Sequence, residues 1–182
     1  MDASRLEVQR LDHLGLVSGF CKEIGLAELI NQRMPKTSHN SMISNGTLLV
    51  AMILNGLGFV SRTLHMYPEY FSEKPTERLL GKGILPHHIN EDVMGRFLDS
   101  LYEEGVSELY QEIAAQVVAY LKLRCNSLNI DTTSFHLDGQ YEHDVNAQTI
   151  QITRGYSRDH RPDLNQVVLS LITENQAGIP LY

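Results

Sequence analysis

The segment SLNIDTTSFHL, Ser127 to Leu137, places one acid, Asp131, within a β-favouring run that is rich in small hydroxyl residues. Apolar Leu128 and Ile130 alternate with polar residues, a period of two that predicts a strand with one face directed to a core. A carboxylate is costly to bury unless it is paired, hydrogen-bonded or bound to a metal, so Asp131 is a candidate ligand for a divalent cation. The alternative is an ordinary surface acid on a half-exposed strand.

A second candidate site is the polar loop from residue 154 to residue 165, RGYSRDHRPDLN, which could contact a nucleic-acid backbone. Guanidinium groups bind phosphate in a bidentate manner, and an aromatic ring can stack on a base or a sugar. The candidate contacts are Arg154, Tyr156, Arg158, His160 and Arg161. The alternative is a solvated turn in which Asp159 and Asp163 pair with the arginines, while Pro162 fixes the backbone.

Two further patterns favour ordinary structure over chemistry. Two histidines and two acids lie close together, but their spacing fits no regular zinc site and the stretch is rich in turn residues. We interpret these residues as part of a solvated hairpin loop: His136, Asp138, His143 and Asp144. Helical segments broken by Gly and Pro within residues 41–80 could form a helix-turn-helix, but the basic residues there are dispersed, which favours a generic helical bundle.

Composition bounds the class of protein. The 182 residues, 42% of them hydrophobic, suffice for one domain of ordinary size or two small ones. No apolar run approaches the ~20 residues needed to cross a bilayer, and the first residues lack the order of a signal peptide. Cys21 and Cys125 lie far apart in the sequence, which favours a reducing cytoplasm. The formal net charge of −7 argues against a strong electrostatic grip on nucleic acid by the whole chain.

The elements that must position the candidate residues follow from the hydrophobic periodicity. Residues 1–125 are predicted to be helical, with breaks at Gly25, Pro35 and Gly105. The apolar run from residue 47 to residue 57 predicts a buried core helix with Ser44 or Asn45 as its cap. Asn90 is predicted to cap a later helix that carries acids in its first turn.

After residue 125 the pattern changes from helical to alternating. The Asp131 strand, the segment TIQIT and the segment QVVLSLIT predict three consecutive strands of a β-meander. We therefore expect an α+β fold: an all-α N-terminal domain, residues 1–125, followed by a mixed domain, residues 126–182. The strands have open edges and no following helix to cover them, so the sequence looks cut short and self-association is expected.

Six segments carry a resemblance to a known family: LDHLGLVSGFCKEIGL, AMILNGLGFVSRTLHMYPEYF, ERLLGKGI, LNIDTTSFHLDGQYE, ITRGYSRDHRPDLNQVVLSLIT and GIPLY. With them the chain resembles bacterial insertion-sequence transposases of the DDE type. In these enzymes a helical N-terminal domain precedes an RNase H-like catalytic domain. GYSRDHRPDLNQ beside DTTSF is a specific combination, whereas either motif by itself would be weak.

The resemblance implies cleavage and strand transfer of DNA at transposon ends, with Mg²⁺ or Mn²⁺ held by three acids. Asp131 matches the first catalytic Asp and metal ligand, and residues 126–182 match only the opening strands of the RNase H-like domain. The second Asp and the Glu of the family are expected beyond Tyr182. The isolated chain is therefore expected to be inactive and not to hold the metal stably. The alternatives are a non-catalytic regulatory protein that binds DNA ends or the transposase, and a decayed reading frame.

Overall fold

The structure, a computed structural model, describes residues 8–35, 42–139, 152–155 and 160–182. Helices come first and strands follow them, and the change falls between Leu121 and Leu128. The predicted α+β class is confirmed. By internal packing the chain divides into two compact units, Met1–Leu109 and Tyr110–Tyr182, so that the boundary lies inside the last helix. Each unit is described by itself below.

The described residues form seven α-helices and two short 3₁₀ turns. The helices are α1 (Leu14–Glu23), α2 (Leu26–Arg33), α3 (Asn45–Gly56), α4 (Tyr67–Ser72), α5 (Thr76–Leu80), α6 (Glu91–Glu104) and α7 (Val106–Leu121), and the 3₁₀ turns are Leu64–Met66 and Pro86–His88. None of the described helices is long and apolar enough to cross a membrane.

Local chemistry explains where these helices begin and end. The Ser44 hydroxyl accepts a hydrogen bond from the backbone N–H of Thr47 (3.2 Å), and Asn90 Oδ1 accepts one from the N–H of Val93 (3.1 Å). Each side chain satisfies a donor that has no partner within its helix. Gly105 separates α6 from α7 with a φ of 94°, a conformation that favours glycine. The predicted caps and the predicted break are thus confirmed.

The core of the first unit forms around α3, the predicted buried helix. Its inward face buries Leu48, Val50, Ala51 and Leu54. The largest fully buried side chains around it come from five other elements of this unit and include Leu14, Ile30, Phe71, Leu79, Met94 and Phe97. Burial of these apolar side chains is the main favourable contribution to the stability of the unit.

Helices α2 and α3 approach each other closely at Gly46. A Cβ atom at this position would overlap the backbone of Ala27 in α2. The same contact is held by hydrogen bonds, since the Gly46 N–H donates to Asn31 Oδ1 (2.8 Å) and Asn45 Nδ2 donates to the carbonyl of Met34 (2.9 Å). Glycine is therefore required here by the distance between two backbones.

The second unit contains a three-stranded antiparallel sheet made of β1 (Leu128–Leu137), β2 (Thr153–Arg154) and β3 (Asn165–Glu174). Strands β1 and β3 pair along their whole length, from Leu128 opposite Glu174 to Leu137 opposite Asn165. The strand order is β1-β3-β2, which differs from the order of a consecutive meander because β3 lies in the centre. Ten residues of β1 match ten of β3, whereas β2 contributes only two to the described sheet.

The prediction that one face of β1 is buried in a core is wrong for the described structure. Leu128 is 51% exposed and Ile130 is 71% exposed. Exposed apolar side chains also occur on the opposite face, where Phe135 and Leu169 lie. The alternation of residue types shows which side chains share a face of the sheet, but it does not show whether anything covers that face.

Glu174, the last residue of β3, is fully buried and organises the turn that follows it. Its carboxylate accepts hydrogen bonds from the backbone N–H groups of Gln176 (2.6 Å), Ala177 (2.6 Å) and Ile179 (3.0 Å). Burial opposes ionisation, but these donors outweigh it and hold the pKa of Glu174 below its ordinary value. The turn returns the chain to β3, where the N–H of Leu181 donates to the carbonyl of Ile172 (2.7 Å).

Gly46→Ala is expected to destabilise the chain by about 1–3 kcal/mol, because the new methyl group overlaps the backbone of α2 and forces the two helices apart. Gly95→Ala in α6 is the matched control. A Cβ at Gly95 meets nothing within 4 Å, so the higher helix propensity of alanine should stabilise the chain by about 0.5–1 kcal/mol. Urea unfolding followed by circular dichroism measures both changes. A Gly46→Ala variant as stable as wild type would contradict the close contact.

Glu174→Ala is expected to speed amide hydrogen exchange at Gln176, Ala177 and Ile179, because each loses its acceptor. Since the pKa in the folded state is lowered, the carboxylate stabilises the turn fully above its ordinary pKa of 4.5 and loses this effect as the pH falls through the folded value. Exposed Glu103 provides the control substitution, Glu103→Ala, which should leave the three amides unchanged. Unaltered exchange in Glu174→Ala would refute this role.

Candidate functional site

Asp131 lies on β1, opposite Leu171 of β3, and its side chain is exposed. The backbone N–H of Thr132 donates to Oδ1 (2.9 Å), which orients the carboxylate. Within the part of the chain that the structure describes, Oδ2 has no hydrogen-bond partner and faces no cation in an ion pair. The arrangement presents an oriented carboxylate to solvent, as a metal ligand requires, and it also suits an ordinary surface acid.

The described residues do not fit a resident Mg²⁺ or Mn²⁺ ion. They include no group of three or more His, Cys, Asp or Glu side chains that could hold a metal. Mg²⁺ takes one or two protein carboxylates together with waters and phosphate oxygens, and a two-metal site needs several acids that converge. Asp131 can therefore contribute one ligand to a site, but no step of a metal-dependent reaction follows from the described residues.

The loop before β3 shows the ion pair that the alternative interpretation expects. Arg161 Nε lies 3.0 Å from Asp163 Oδ1, and Arg161 Nη2 lies 2.9 Å from Asp163 Oδ2, a bidentate contact between exposed groups. This hydrogen bonding lowers the pKa of Asp163 below its ordinary value and raises the pKa of Arg161. A phosphate would have to displace the carboxylate to bind this edge of the guanidinium in a bidentate manner.

Arg154 is exposed on β2, in register with Asn165 of β3. Residues an even number apart on a strand share a face, and Asn165 is six positions from Leu171, the partner of Asp131. Arg154 and Asp131 therefore lie on the same face of the sheet, separated by about 20 Å along β3. The structure thus places an acid and a cation at opposite ends of one face.

The other residues predicted in this loop are less informative. His160 is exposed, with a φ of 57° in the left-handed region. Tyr156 and Arg158 lie outside the described residues, and so does Asp159. Their predicted contacts with DNA therefore stay predictions.

Gln166, which the sequence did not single out, connects the two ends of this loop. Its buried side chain donates from Nε2 to the carbonyl of Gly155 (3.1 Å) and, more weakly, to that of Arg161 (3.4 Å). Its Oε1 finds no donor among the described residues. Gln166 is the last residue of GYSRDHRPDLNQ, so its place in that motif was the available signal.

Two other sequence patterns can be placed in the structure. His136 and Asp138 are exposed at the end of β1, whereas His143 and Asp144 lie outside the described residues.

After α3, helix α4 has six residues and α5 has five, so neither is long enough to serve as a recognition helix in the major groove. These lengths favour the helical-bundle interpretation of residues 41–80.

Comparison with known proteins places the helical part of the chain in a family. A search of curated proteins gave no match, and a search of solved structures gave none either. The family model described as "Domain of unknown function (DUF4277)" matches residues 6–115. This match covers most of the 182 residues and ends before the Asp131 strand, so it carries no information about the sheet. On the extent of this match, the chain belongs to the DUF4277 family.

Proposed function

We propose that this chain is the N-terminal part of a DDE-type transposase, and that it provides Asp131 as the first of the metal-binding acids for DNA cleavage and strand transfer. The observation that carries the proposal is the exposed Asp131 carboxylate on the β1–β3 pair, with one oxygen held by the Thr132 N–H and the other open. The combination of DTTSF with GYSRDHRPDLNQ supports the same assignment. We place this activity in the cytoplasm, where free thiols such as Cys21 and Cys125 persist.

The geometry around Asp131 suits a ligand in a site completed by other groups. Metal-binding carboxylates are commonly oriented by hydrogen bonds to their second oxygen, and the Thr132 N–H provides such a bond. The long pairing with β3 holds the backbone of Asp131 at a defined position in the sheet. Mg²⁺ or Mn²⁺, when bound in the intact enzyme, would supply charge stabilisation for attack on a phosphodiester. This chain would contribute one carboxylate oxygen and its orientation.

The face that carries Asp131 also offers a means of positioning DNA. Arg154 lies at the other end of this face, about 20 Å away. That distance corresponds to about six base pairs of duplex, given a rise of 3.4 Å per step. Arg154 can bind a phosphate at one end while Asp131 faces the strand to be cut. Arg161, already paired with Asp163, is expected to contribute less.

The assignment of Asp131 is tested in the intact enzyme, by its excision of the genetic element that encodes this chain, measured in cells. Asp131→Asn keeps the size of the side chain but removes the charge that binds the metal, so excision should fall to background. Asp138→Asn is the matched control, because Asp138 is a second exposed acid in the same segment and should tolerate the change. Loss of excision in both variants, or in neither, would contradict the assignment.

The purified chain is expected to show no Mg²⁺-dependent cleavage of DNA that carries the terminal repeats of this element, because the described residues contain no three-ligand metal site. The rate with wild type should equal the rate with Asp131→Asn. Cleavage that requires Mg²⁺ and disappears in Asp131→Asn would show that the chain completes a metal site, and would overturn the expectation of inactivity.

Mobility-shift assays with the same DNA should show weak binding that decreases with salt. Arg154→Ala should weaken binding and reduce the slope of log K against log salt by about 0.9, the effect of one lost phosphate contact. Arg161→Ala should have a smaller effect, because Asp163 competes for that guanidinium. Asp131→Ala should not weaken binding, since it removes a negative charge. A slope unchanged by Arg154→Ala would exclude this phosphate contact.

A further inference from the structure

Gln166 is a buried side chain whose hydrogen-bond partners belong to exposed residues. It is 5% exposed, whereas Gly155 and Arg161, whose carbonyl groups it binds, are exposed. Its Nε2 lies 3.1 Å from the Gly155 oxygen and 3.4 Å from the Arg161 oxygen. Because one nitrogen donates to both carbonyls, the backbone that follows β2 is held close to the backbone of the loop before β3.

The two carbonyls also fix the orientation of the Gln166 amide. A carbonyl oxygen only accepts hydrogen bonds, so the NH₂ group must face both of them and Oε1 must point elsewhere. Oε1 is buried and finds no donor among the described residues. Since a buried acceptor without a donor costs free energy, this glutamine contributes through the two bonds of its nitrogen and not through a fully satisfied amide.

These bonds support a strand that has little other support. Strand β2 contributes two residues to the described sheet, and Arg154 is the second of them. Gly155 follows Arg154 directly, so the bond from Gln166 fixes the backbone next to the Arg154 side chain. Gln166 is adjacent on β3 to Asn165, the partner of Arg154, so the Gln166 side chain lies on the opposite face of the sheet. It can therefore hold Arg154 in place without occupying the surface on which Arg154 lies.

The charges near this contact leave Arg154 available to an anion. Arg161 forms its bidentate pair with Asp163. This hydrogen bond is the main reason why the pKa of Asp163 is lowered, and the charge of Arg154 contributes a smaller part, so Arg154 lies within electrostatic reach of the pair. In the part of the chain that the structure describes, Arg154 forms no ion pair of its own, and its guanidinium can bind a phosphate.

On the basis of the proposed phosphate contact of Arg154, we propose that Gln166 is a positioning residue for DNA binding. Its two hydrogen bonds hold the end of β2 where the Arg154 guanidinium meets a backbone phosphate. A side chain on a fixed backbone loses less conformational entropy when its ligand binds. Without these bonds Arg154 keeps its charge but loses its fixed position. Gln166 does not touch the DNA and acts only through Arg154.

Mobility-shift assays of the full chain with terminal-repeat DNA at about 0.1 M salt test this role. Gln166→Met keeps the length of the side chain and removes its donors, and the two carbonyls that it leaves belong to exposed residues and can bind water. The dissociation constant should rise about threefold or more and the slope of log K against log salt should fall. Neither effect should exceed that of Arg154→Ala, about eightfold for one phosphate contact with a slope of 0.9.

Gln176→Met is the matched control, because Gln176 binds the Arg124 N–H at an exposed turn away from β2. It should leave the affinity for DNA unchanged. Wild-type affinity in Gln166→Met, or an equal loss in Gln176→Met, would overturn the proposal.

A double variant separates positioning from a general loss of structure. If Gln166 acts through Arg154, then Gln166→Met should cause no further change in a chain that already carries Arg154→Ala. The double variant should bind DNA with the affinity and salt dependence of Arg154→Ala. A general loosening of the second unit would instead weaken binding by the same factor in both backgrounds, and that result would show that Gln166 does not act through Arg154.

The wild-type chain offers a measurement that does not depend on the folding of a variant. In NMR spectra the side-chain NH₂ protons of Gln166 should exchange with water more slowly than those of exposed Gln176, because they are buried and hydrogen-bonded. Addition of DNA should shift the Nε–H signal of Arg154 while the Gln166 protons stay protected. Equally fast exchange in both glutamines would exclude the bonds on which the positioning role depends.

Failure of the positioning role can be distinguished from failure of the phosphate contact. If Arg154→Ala leaves DNA binding unchanged, the contact is absent and the role of Gln166 is wrong with it. If Arg154→Ala weakens binding and Gln166→Met does not, the contact stands and only the positioning role is wrong. The excision experiment with Asp131→Asn decides the metal ligand separately.

Discussion

The antiparallel register of β1 and β3 determines the position of the candidate site residues in the second unit. Ten consecutive pairs fix which side chains share a face and how far apart they lie. Asp131 is thereby held opposite Leu171, and the loop that carries Arg161 is held at the far end of the same pair. A shift of one residue would move Asp131 to the other face, away from Arg154, because the side-chain period of a strand is two.

Three buried polar side chains organise the segments that follow helices or join strands. Asn55 binds both backbone groups of Arg62 in the loop after α3. Gln166 connects the two ends of the loop before β3, and Glu174 accepts hydrogen bonds from the N–H groups of the turn after β3. In each case a side chain satisfies backbone groups that no helix or strand satisfies. Loops held in this way can present exposed side chains in a defined arrangement.

Most helix boundaries could be predicted from the sequence because their causes are local. A hydroxyl or amide two or three residues before a helical N–H, as at Ser44 and Asn90, is visible in the sequence. The strand around Asp131 was visible for the same reason. The roles of Gln166 and Glu174 could not be predicted from the sequence. Their hydrogen-bond partners are backbone groups, which every residue has, so the residue types do not identify them. Glu174 is fully buried, and its carboxylate accepts hydrogen bonds from three backbone N–H groups of the turn that follows it.

The sequence by itself determined the order of helices and strands, the α+β class and the residue types that could bind a metal or a phosphate. Periodicity and capping act over a few residues, so they can be read directly. Only the tertiary structure decided that β3 lies between β1 and β2 and that Leu128 and Ile130 are exposed. It also decided that the Arg161 guanidinium forms an ion pair with Asp163. These outcomes depend on contacts between distant segments and on what covers a surface, and neither is encoded in local spacing.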